Sequence, residues 1–172
     1  LEHPNAQYAY VIDWNQRYAP RALAKLWEMG YHVRSARKSF TTTLKTYPPG
    51  TLIVLKGRNR AKMGRMAADM QAIADAIPVE IRGFESGRVM EGIDLASRHS
   101  RPVKQPRVAL LIEPPFSTYT CGQIYFLFDQ DTRLPVDRVR TSILKQTSLP
   151  KFGARYGYAD LYDYDVLILP GG

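Results

Sequence analysis

Four side chains that could take part in chemistry lie close together in EPPFSTYTCGQ, the segment that follows the apolar run VALLI. They are Glu113, Ser117, Tyr119 and Cys121. Open α/β sheets bind ligands where a strand ends and a loop leads into a helix, because the carboxyl ends of the strands border a crevice. The segment is therefore a candidate ligand-binding loop.

A purely structural role competes with ligand binding for the same segment. In that interpretation Thr118 or Thr120 caps the following helix, and Phe116 and Tyr119 pack over the edge of the sheet. Both interpretations place the start of a helix here, so they differ only in what the polar groups contact.

Cys121 is the single cysteine, so the chain cannot form an internal disulfide and its redox compartment stays open. A helix start lowers the pKa of a thiol, and a nearby base would make it a nucleophile. No histidine lies near it in sequence, and the chain has neither a G-x-S-x-G nor a G-x-C-x-G elbow. Because free cysteine behaves mostly as a small hydrophobic residue, we expect Cys121 to be a packing residue.

Zinc chemistry is not expected from this chain alone. Catalytic zinc needs two or three His or carboxylate ligands at fixed spacing. The histidines are His3, His32 and His99, and none is followed at short helical spacing by Glu or His. We therefore predict no metal site and no catalytic residue in the chain.

The chain carries a net charge of +8, and its densest basic run is LKGRNRAKMGR, residues 55–65. Lys56, Arg58 and Arg60 are candidate anion-binding residues at the entry to a helix. A solvated turn is the favoured alternative, because no aromatic residues alternate with the charges as they do in nucleic-acid sites. The absence of Gly-Lys-Ser/Thr in this run excludes a Walker phosphate loop.

Apolar runs and helical periodicity alternate along the chain. AYVIDW, YHVRSA, GTLIVLKG and VEIRGF are predicted strands, and RVALLI begins a second round after the irregular residues 87–106. Near-continuous apolar strands alternating with helices predict a parallel sheet flanked by helices. We expect an α/β lobe at 7–86, a linker at 87–106 and a second α/β lobe at 107–172 that is truncated at its C-terminus.

Two helices have clear signals of their own. Pro20 suits the first turn of one helix, and Gly30 suits its C-terminal cap. In the second helix the residues Met63, Met66, Met70, Ile73 and Ile77 recur at helical spacing, which predicts core packing. No apolar run approaches the roughly 20 residues of a membrane span, so none is predicted.

The second half resembles a known family. VALLIEPPFSTYTCGQIYFLFDQDTRLPVDRV with the later YDVLILPGG is similar to the region that follows the catalytic domain in large bacterial zinc carboxypeptidases of the carboxypeptidase A superfamily. YAYVIDWNQRYAPRALAKLWEMGY and YPPGTLIVLKGRN fit the stretch before it. That region resembles class I glutamine amidotransferase-like, flavodoxin-like domains, so the resemblance implies a flavodoxin-like fold whose second unit is incomplete.

The resemblance also implies the function. Zinc and its ligands would belong to the peptidase domain of the parent protein, which leaves this chain as a non-catalytic accessory domain that assists substrate binding or stabilises the peptidase domain. In amidotransferases the glycines after such a strand help to form an oxyanion hole, which corresponds to Gly171 and Gly172. Their nucleophilic cysteine follows a later strand, so Cys121 does not match it.

The expected partners are the peptidase domain of the same protein and a peptide ligand. Two alternatives stay open: an amidotransferase-like hydrolase whose cysteine nucleophile is Cys121 or lies outside the chain, and a module that binds polyanions or nucleic acid through residues 56–65. Nucleic acid is the less favoured partner. The sequence leaves the compartment unknown, and the resemblance would fit a periplasmic or secreted location.

Overall fold

A computed structural model describes residues 1–144 and 161–171. The chain divides into two compact units, Leu1–Lys104 and Gln105–Gly172. The first unit, called unit 1, contains the strands and helices β1 (Ala9–Ile12), α1 (Ala19–Glu28), β2 (Val33–Ala36), β3 (Phe40–Thr41), β4 (Thr46–Tyr47), β5 (Leu52–Leu55), α2 (Met66–Ala76), β6 (Arg82–Phe84), β7 (Glu91–Gly92) and β8 (Ser100–Val103).

Unit 1 is built around a five-stranded sheet with the order β6-β1-β5-β2-β8. Every pair of neighbours in this sheet is antiparallel. The connections β1-α1-β2 and β5-α2-β6 each skip one strand, so the two βαβ units interleave. This is the split βαβ arrangement of ferredoxin-like folds, with β8 added at one edge.

Both faces of the five-stranded sheet are covered. Helices α1 and α2 pack on one face, where Tyr10 and Ile12 of β1 point. On the other face Ala9 and Val11 pack in a second cluster with Phe40 and Tyr47 of the small sheet β4-β3-β7. Ile93 and Leu95 belong to the same cluster. The rings of Phe40 and Tyr47 stack with their centroids 4.9 Å apart.

The predicted architecture, a parallel sheet flanked by helices in two flavodoxin-like lobes of which the second is incomplete, is wrong. The chain mixes helices and strands in three sheets, and the two sheets of unit 1 are antiparallel. A near-continuous apolar strand such as LIVL indicates burial on both faces, and parallel sheets are the usual source of that burial. Here the second cover is a small sheet of two-residue strands, so an antiparallel strand is equally buried.

The signals for the two ends of the first predicted helix are confirmed, whereas the second helix begins only at Met66 and leaves Met63 outside it. Pro20 lies in the first turn of α1, and Gly30 follows its last turn with φ of 72°. The Gly30 N–H donates to the Trp27 carbonyl (2.8 Å) and the Tyr31 N–H to the Leu26 carbonyl (2.8 Å), which together form a Schellman cap. Glycine suits this position because it adopts a left-handed conformation without a steric penalty.

Unit 2, the second compact unit, contains β9 (Val108–Ile112), α3 (Thr118–Phe126), β10 (Asp137–Arg140), α4 (Thr141–Leu144) and β11 (Val166–Ile168). The helical path of α3 continues as a π-helical segment over Leu127–Thr132. The strands form a three-stranded parallel sheet with the order β10-β9-β11. Ala109, Leu111 and Val139 form its buried cluster, against which Phe116 packs.

None of the helices within the described parts of the chain is long and apolar enough to cross a bilayer.

The helical stripe in α2 gives a direct test of the core of unit 1. Met70 is fully buried, whereas Met63 of the same predicted stripe precedes the helix and is 42% exposed. We expect Met70→Ala to lower the free energy of unfolding by about 2–5 kcal/mol, because it leaves a cavity in a packed core. Met63→Ala is the control and should change it by less than about 0.5 kcal/mol. Urea titration followed by circular dichroism measures both, and equal effects would contradict the packing of α2.

Candidate functional site

The carboxyl ends of the three parallel strands of unit 2 meet around residues 113–117. Ile112 of β9 lies opposite Arg140 of β10, and Leu110 lies opposite Ile168 of β11. The residues that follow these strands therefore emerge at one edge of the sheet, which is the position that the sequence pattern predicted for a ligand-binding loop.

Glu113 turns the chain away from β9 and binds the end of β10. Its φ is 77°, a left-handed value that costs a non-glycine residue about 1–2 kcal/mol. The Ser142 hydroxyl donates to Glu113 Oε2 (3.1 Å), and Arg140 Nε lies 3.5 Å from Glu113 Oε1. The carboxylate of Glu113 is thus engaged by two residues at the end of β10.

Ser117 caps α3, whereas the structural interpretation of the sequence gave this role to Thr118 or Thr120. Ser117 has extended backbone angles, and its Oγ accepts a hydrogen bond from the Thr120 N–H (3.3 Å). Thr118 is already the first helical residue and Thr120 the third, so neither can be the cap. Three hydroxyl residues within four positions all satisfy the capping preference, and only the backbone conformation selects one of them.

Two further hydrogen bonds fix the loop. The Thr141 hydroxyl, at the end of β10, donates to the Pro114 carbonyl (2.9 Å). The Ser117 N–H donates to the Gly171 carbonyl (3.2 Å), beyond the end of β11. Loop 113–117 is therefore attached to the ends of all three strands, and the direction in which α3 leaves it is fixed.

Tyr119 and Cys121 lie on opposite sides of α3. Tyr119 is 75% exposed and does not pack over the sheet as its structural interpretation proposed. Cys121 is buried against β9, and its thiol donates to the Leu111 carbonyl (3.5 Å). All three histidines of the chain belong to unit 1, so no imidazole of unit 2 can activate this thiol.

The tail glycines are described only in part. Gly171 is exposed, and its carbonyl is the acceptor for Ser117. Gly172 lies outside the described residues. The edge thus brings together Glu113, Ser117 and Gly171, with Cys121 beneath them and Tyr119 projecting outward. Their ligand-binding role stays a prediction.

The polar side chains at this edge form contacts within unit 2. The Glu113 carboxylate, the Ser117 hydroxyl and the Cys121 thiol each have a partner within unit 2. Across residues 1–144 and 161–171, no group of three or more His, Cys, Asp or Glu side chains is placed to hold a metal ion.

The structure separates the basic residues that the sequence grouped as an anion site. Lys56 Nζ donates to the Ala6 carbonyl (2.7 Å) and so holds the N-terminal segment against β5. Arg58 and Arg60 are exposed and line a cleft in unit 1. The cleft also contains Tyr8 and Ala96, which the sequence analysis missed, because residues so far apart along the chain carry no local signal of their proximity.

The assignment of the helix cap predicts a difference between neighbouring hydroxyl residues. We expect Ser117→Ala to destabilise unit 2 by about 1 kcal/mol, since the Thr120 N–H loses its acceptor. Thr118→Ala, one position further on, should have an effect below about 0.5 kcal/mol. Chemical denaturation of the two variants measures the difference, and a larger loss for Thr118→Ala would show that the cap is misassigned.

The burial of Cys121 predicts a slow thiol. We expect an aromatic disulfide reagent to label Cys121 in the native protein at least about tenfold more slowly than in urea, because labelling requires local opening of α3. The reaction is monitored by the absorbance of the aromatic thiolate that it releases. Equal rates in native and unfolded protein, or faster labelling in the native state, would support the nucleophile interpretation instead.

Comparison of the chain with protein-family models, with curated proteins and with solved structures finds no match in any of the three. The resemblance to the zinc carboxypeptidase region therefore stays a prediction from the sequence.

Proposed function

We propose that the chain is a non-catalytic accessory region of a zinc carboxypeptidase-like protein, and that it docks on the peptidase domain through one face of α3. The identity of this partner comes from the sequence resemblance. The docking surface comes from the side chains that α3 leaves exposed.

The exposed side of α3, called the outward face, consists of Tyr119, Gln123 and Phe126. Positions seven apart lie on the same side of a helix, so Tyr119 and Phe126 share this face about 10 Å apart, with Gln123 between them. Tyr119 is 75% exposed and Phe126 is 66% exposed, and Leu127 beside them is 48% exposed. Cys121, on the opposite side, is the residue of α3 that is buried.

This outward face is the observation that supports docking. A soluble domain rarely leaves several large apolar side chains together in water, and such patches are typical of interaction surfaces. Tyrosine and phenylalanine are also enriched at the centres of protein interfaces, because each buries a large rigid area. The fixed path of loop 113–117 means that these side chains are presented without further ordering of the backbone.

The non-catalytic part of the proposal is supported by what the polar groups contact. Glu113 is engaged by Arg140 and Ser142, and the hydroxyl of Ser117 caps a helix. These contacts stabilise loop 113–117, so the same groups act as structural elements of the docking surface.

Hydroxyl-radical footprinting of the full-length protein tests the docking face. We expect Tyr119 and Phe126 to be oxidised at least about fivefold more slowly in the full-length protein than in the 172-residue chain alone, because the peptidase domain covers them. Phe126→Asp should restore fast oxidation of Tyr119 in the full-length protein. Gln123→Asp, which adds the same charge on the same face without removing an aromatic ring, is the control and should retain most of the protection.

Three outcomes would contradict the docking part of the proposal. The gene could lack an upstream His-x-x-Glu domain, Tyr119 could be oxidised equally fast in both proteins, or its protection could rise with protein concentration. The last result would identify a second copy of the chain as the partner. Hydrolysis of peptide or glutamine by the chain, abolished by Cys121→Ala, would contradict its non-catalytic character.

A further inference from the structure

The cleft of unit 1 that contains Arg58 and Arg60 lies where β5 leads into α2. Two short 3₁₀ turns, Lys56–Arg58 and Arg60–Lys62, connect these elements. The cleft has a volume of about 310 Å³, and its lining residues are Tyr8, Leu55, Gly57, Arg58, Arg60 and Ala96. This volume is at the lower end of the range for ligand pockets, about 300–1,000 Å³, and suits a small molecule.

Hydrogen bonds of Asn59 hold the turn that carries the two arginines. Asn59, between them, is only 4% exposed. Its Nδ2 donates to the Leu55 carbonyl (2.9 Å) and the His32 carbonyl (3.1 Å), and its Oδ1 accepts from the His32 N–H (2.8 Å). These hydrogen bonds hold the backbone at Arg58 and Arg60 in place in the protein without ligand. Because less backbone has to be ordered on binding, the entropic cost of binding is lower.

The aromatic wall of the cleft is fixed as well. A Cβ atom at position 87 would lie 2.4 Å from ring carbons of Tyr8, so the glycine there allows the ring to pack directly against the backbone. The Tyr8 N–H donates to the Phe84 carbonyl and the Tyr8 carbonyl accepts from the Lys56 N–H, both at 2.9 Å. Tyr8 is therefore held from both sides, next to the apolar Leu55.

Arg58 and Arg60 are the charged residues among those that line the cleft, and both are positive. Neither Arg58 nor Arg60 forms an ion pair or a side-chain hydrogen bond with any residue in the described parts of the chain. Arg34, nearby, donates to Ser100 Oγ (3.0 Å) instead of to a carboxylate. Burial and the charge of Arg58 both lower the pKa of Arg34, so Arg58 adds to a locally positive field.

From this arrangement we infer that the cleft binds a small organic oxyanion, a phosphate or carboxylate group carried on an aromatic or apolar body. The guanidinium groups of Arg58 and Arg60 match the geometry of oxyanions, to which arginine donates two parallel hydrogen bonds. Tyr8, Leu55 and Ala96 contact the body of the ligand. The site lies in unit 1, whereas the proposed docking face lies in unit 2.

A larger side chain at position 57 would fill the cleft without disturbing the fold. Gly57 lines the cleft, its φ is not in the left-handed region, and a Cβ at its position would meet no atom within 4 Å. A leucine at position 57 therefore occupies open space, whereas a Cβ at Gly83 or Gly87 would clash with atoms already there. Gly57→Leu is accordingly a blocking variant that leaves both arginines in place.

Isothermal titration calorimetry with four probes tests the inference: phenyl phosphate, benzoate, inorganic phosphate and phenol. We expect phenyl phosphate or benzoate to bind at least about tenfold more tightly than inorganic phosphate, because the cleft buries the ring as well as the charge. Phenol, which lacks the anion, should bind more weakly still. The ranking of phenyl phosphate against benzoate distinguishes a phosphate ligand from a carboxylate ligand.

Variants identify the groups responsible. Arg58→Ala and Arg60→Ala should each weaken binding about 10-fold to 100-fold, since each removes charge-assisted hydrogen bonds. Gly57→Leu should abolish it. Arg21→Ala is the matched control, because it removes the same charge from α1 on the opposite face of the five-stranded sheet and should leave affinity within about twofold. Circular dichroism and the unfolding midpoint confirm that each variant is folded.

Three results would overturn the inference. One is the lack of heat from any probe up to about 10 mM. Another is equal affinity for inorganic phosphate and phenyl phosphate that disappears above about 0.3 M salt, which would indicate diffuse attraction to a basic surface. The third is an equal loss of affinity in Arg58→Ala and Arg21→Ala.

Discussion

The antiparallel pairing of β1 with β5 is the contact on which the architecture of unit 1 and its cleft depend. All four residues of each strand are buried, and Ala9 lies opposite Leu55. Because the strands run in opposite directions, the residue before β1 meets the residues after β5, and the Lys56 N–H reaches the Tyr8 carbonyl. In a parallel pair, Tyr8 would lie at the far end of the sheet from Arg58, and the cleft would have no aromatic wall.

In unit 2 the contacts between loop 113–117 and the ends of the strands have a similar role. Loop 113–117 is attached to the ends of β10 and β11 through Glu113, Pro114 and Ser117, so the start of α3 is set by the sheet. Glu113 and Ser117, which the sequence analysis identified as candidate ligand-binding residues, are among the residues that form these contacts. Their effect is to present the outward face of α3 at a fixed angle, with Cys121 turned inward onto β9. These contacts determine how α3 leaves the sheet, and therefore on which side of unit 2 Tyr119 and Phe126 are exposed.

The sequence predicted the individual elements far better than their arrangement. Local rules place the two ends of α1 at Pro20 and Gly30. Helical spacing correctly predicts the burial of Met70, but it also predicts burial of Met63, which is exposed. The direction of a strand has no such local signal. LIVL is apolar whether helices or a second sheet cover it, and the covering strands are only two residues long, too short to show a period in the sequence.

The sequence shows the basic run at residues 55–65, but it does not show that Tyr8 lies beside it. The position of Tyr8 depends on the antiparallel register of β1 and β5. The choice of Ser117 over its neighbouring threonines likewise depends on backbone angles that composition does not encode.

The measurement that tests the account most directly is a ¹H–¹⁵N correlation spectrum of the protein during titration with phenyl phosphate. The antiparallel register predicts that the largest shifts occur together at Tyr8, Gly57, Arg58, Arg60 and Ala96, three separate parts of the chain that meet at one cleft. Shifts confined to residues 55–65, or spread over basic residues throughout the chain, would contradict the account, because they would mean that Tyr8 does not lie beside the end of β5 in solution.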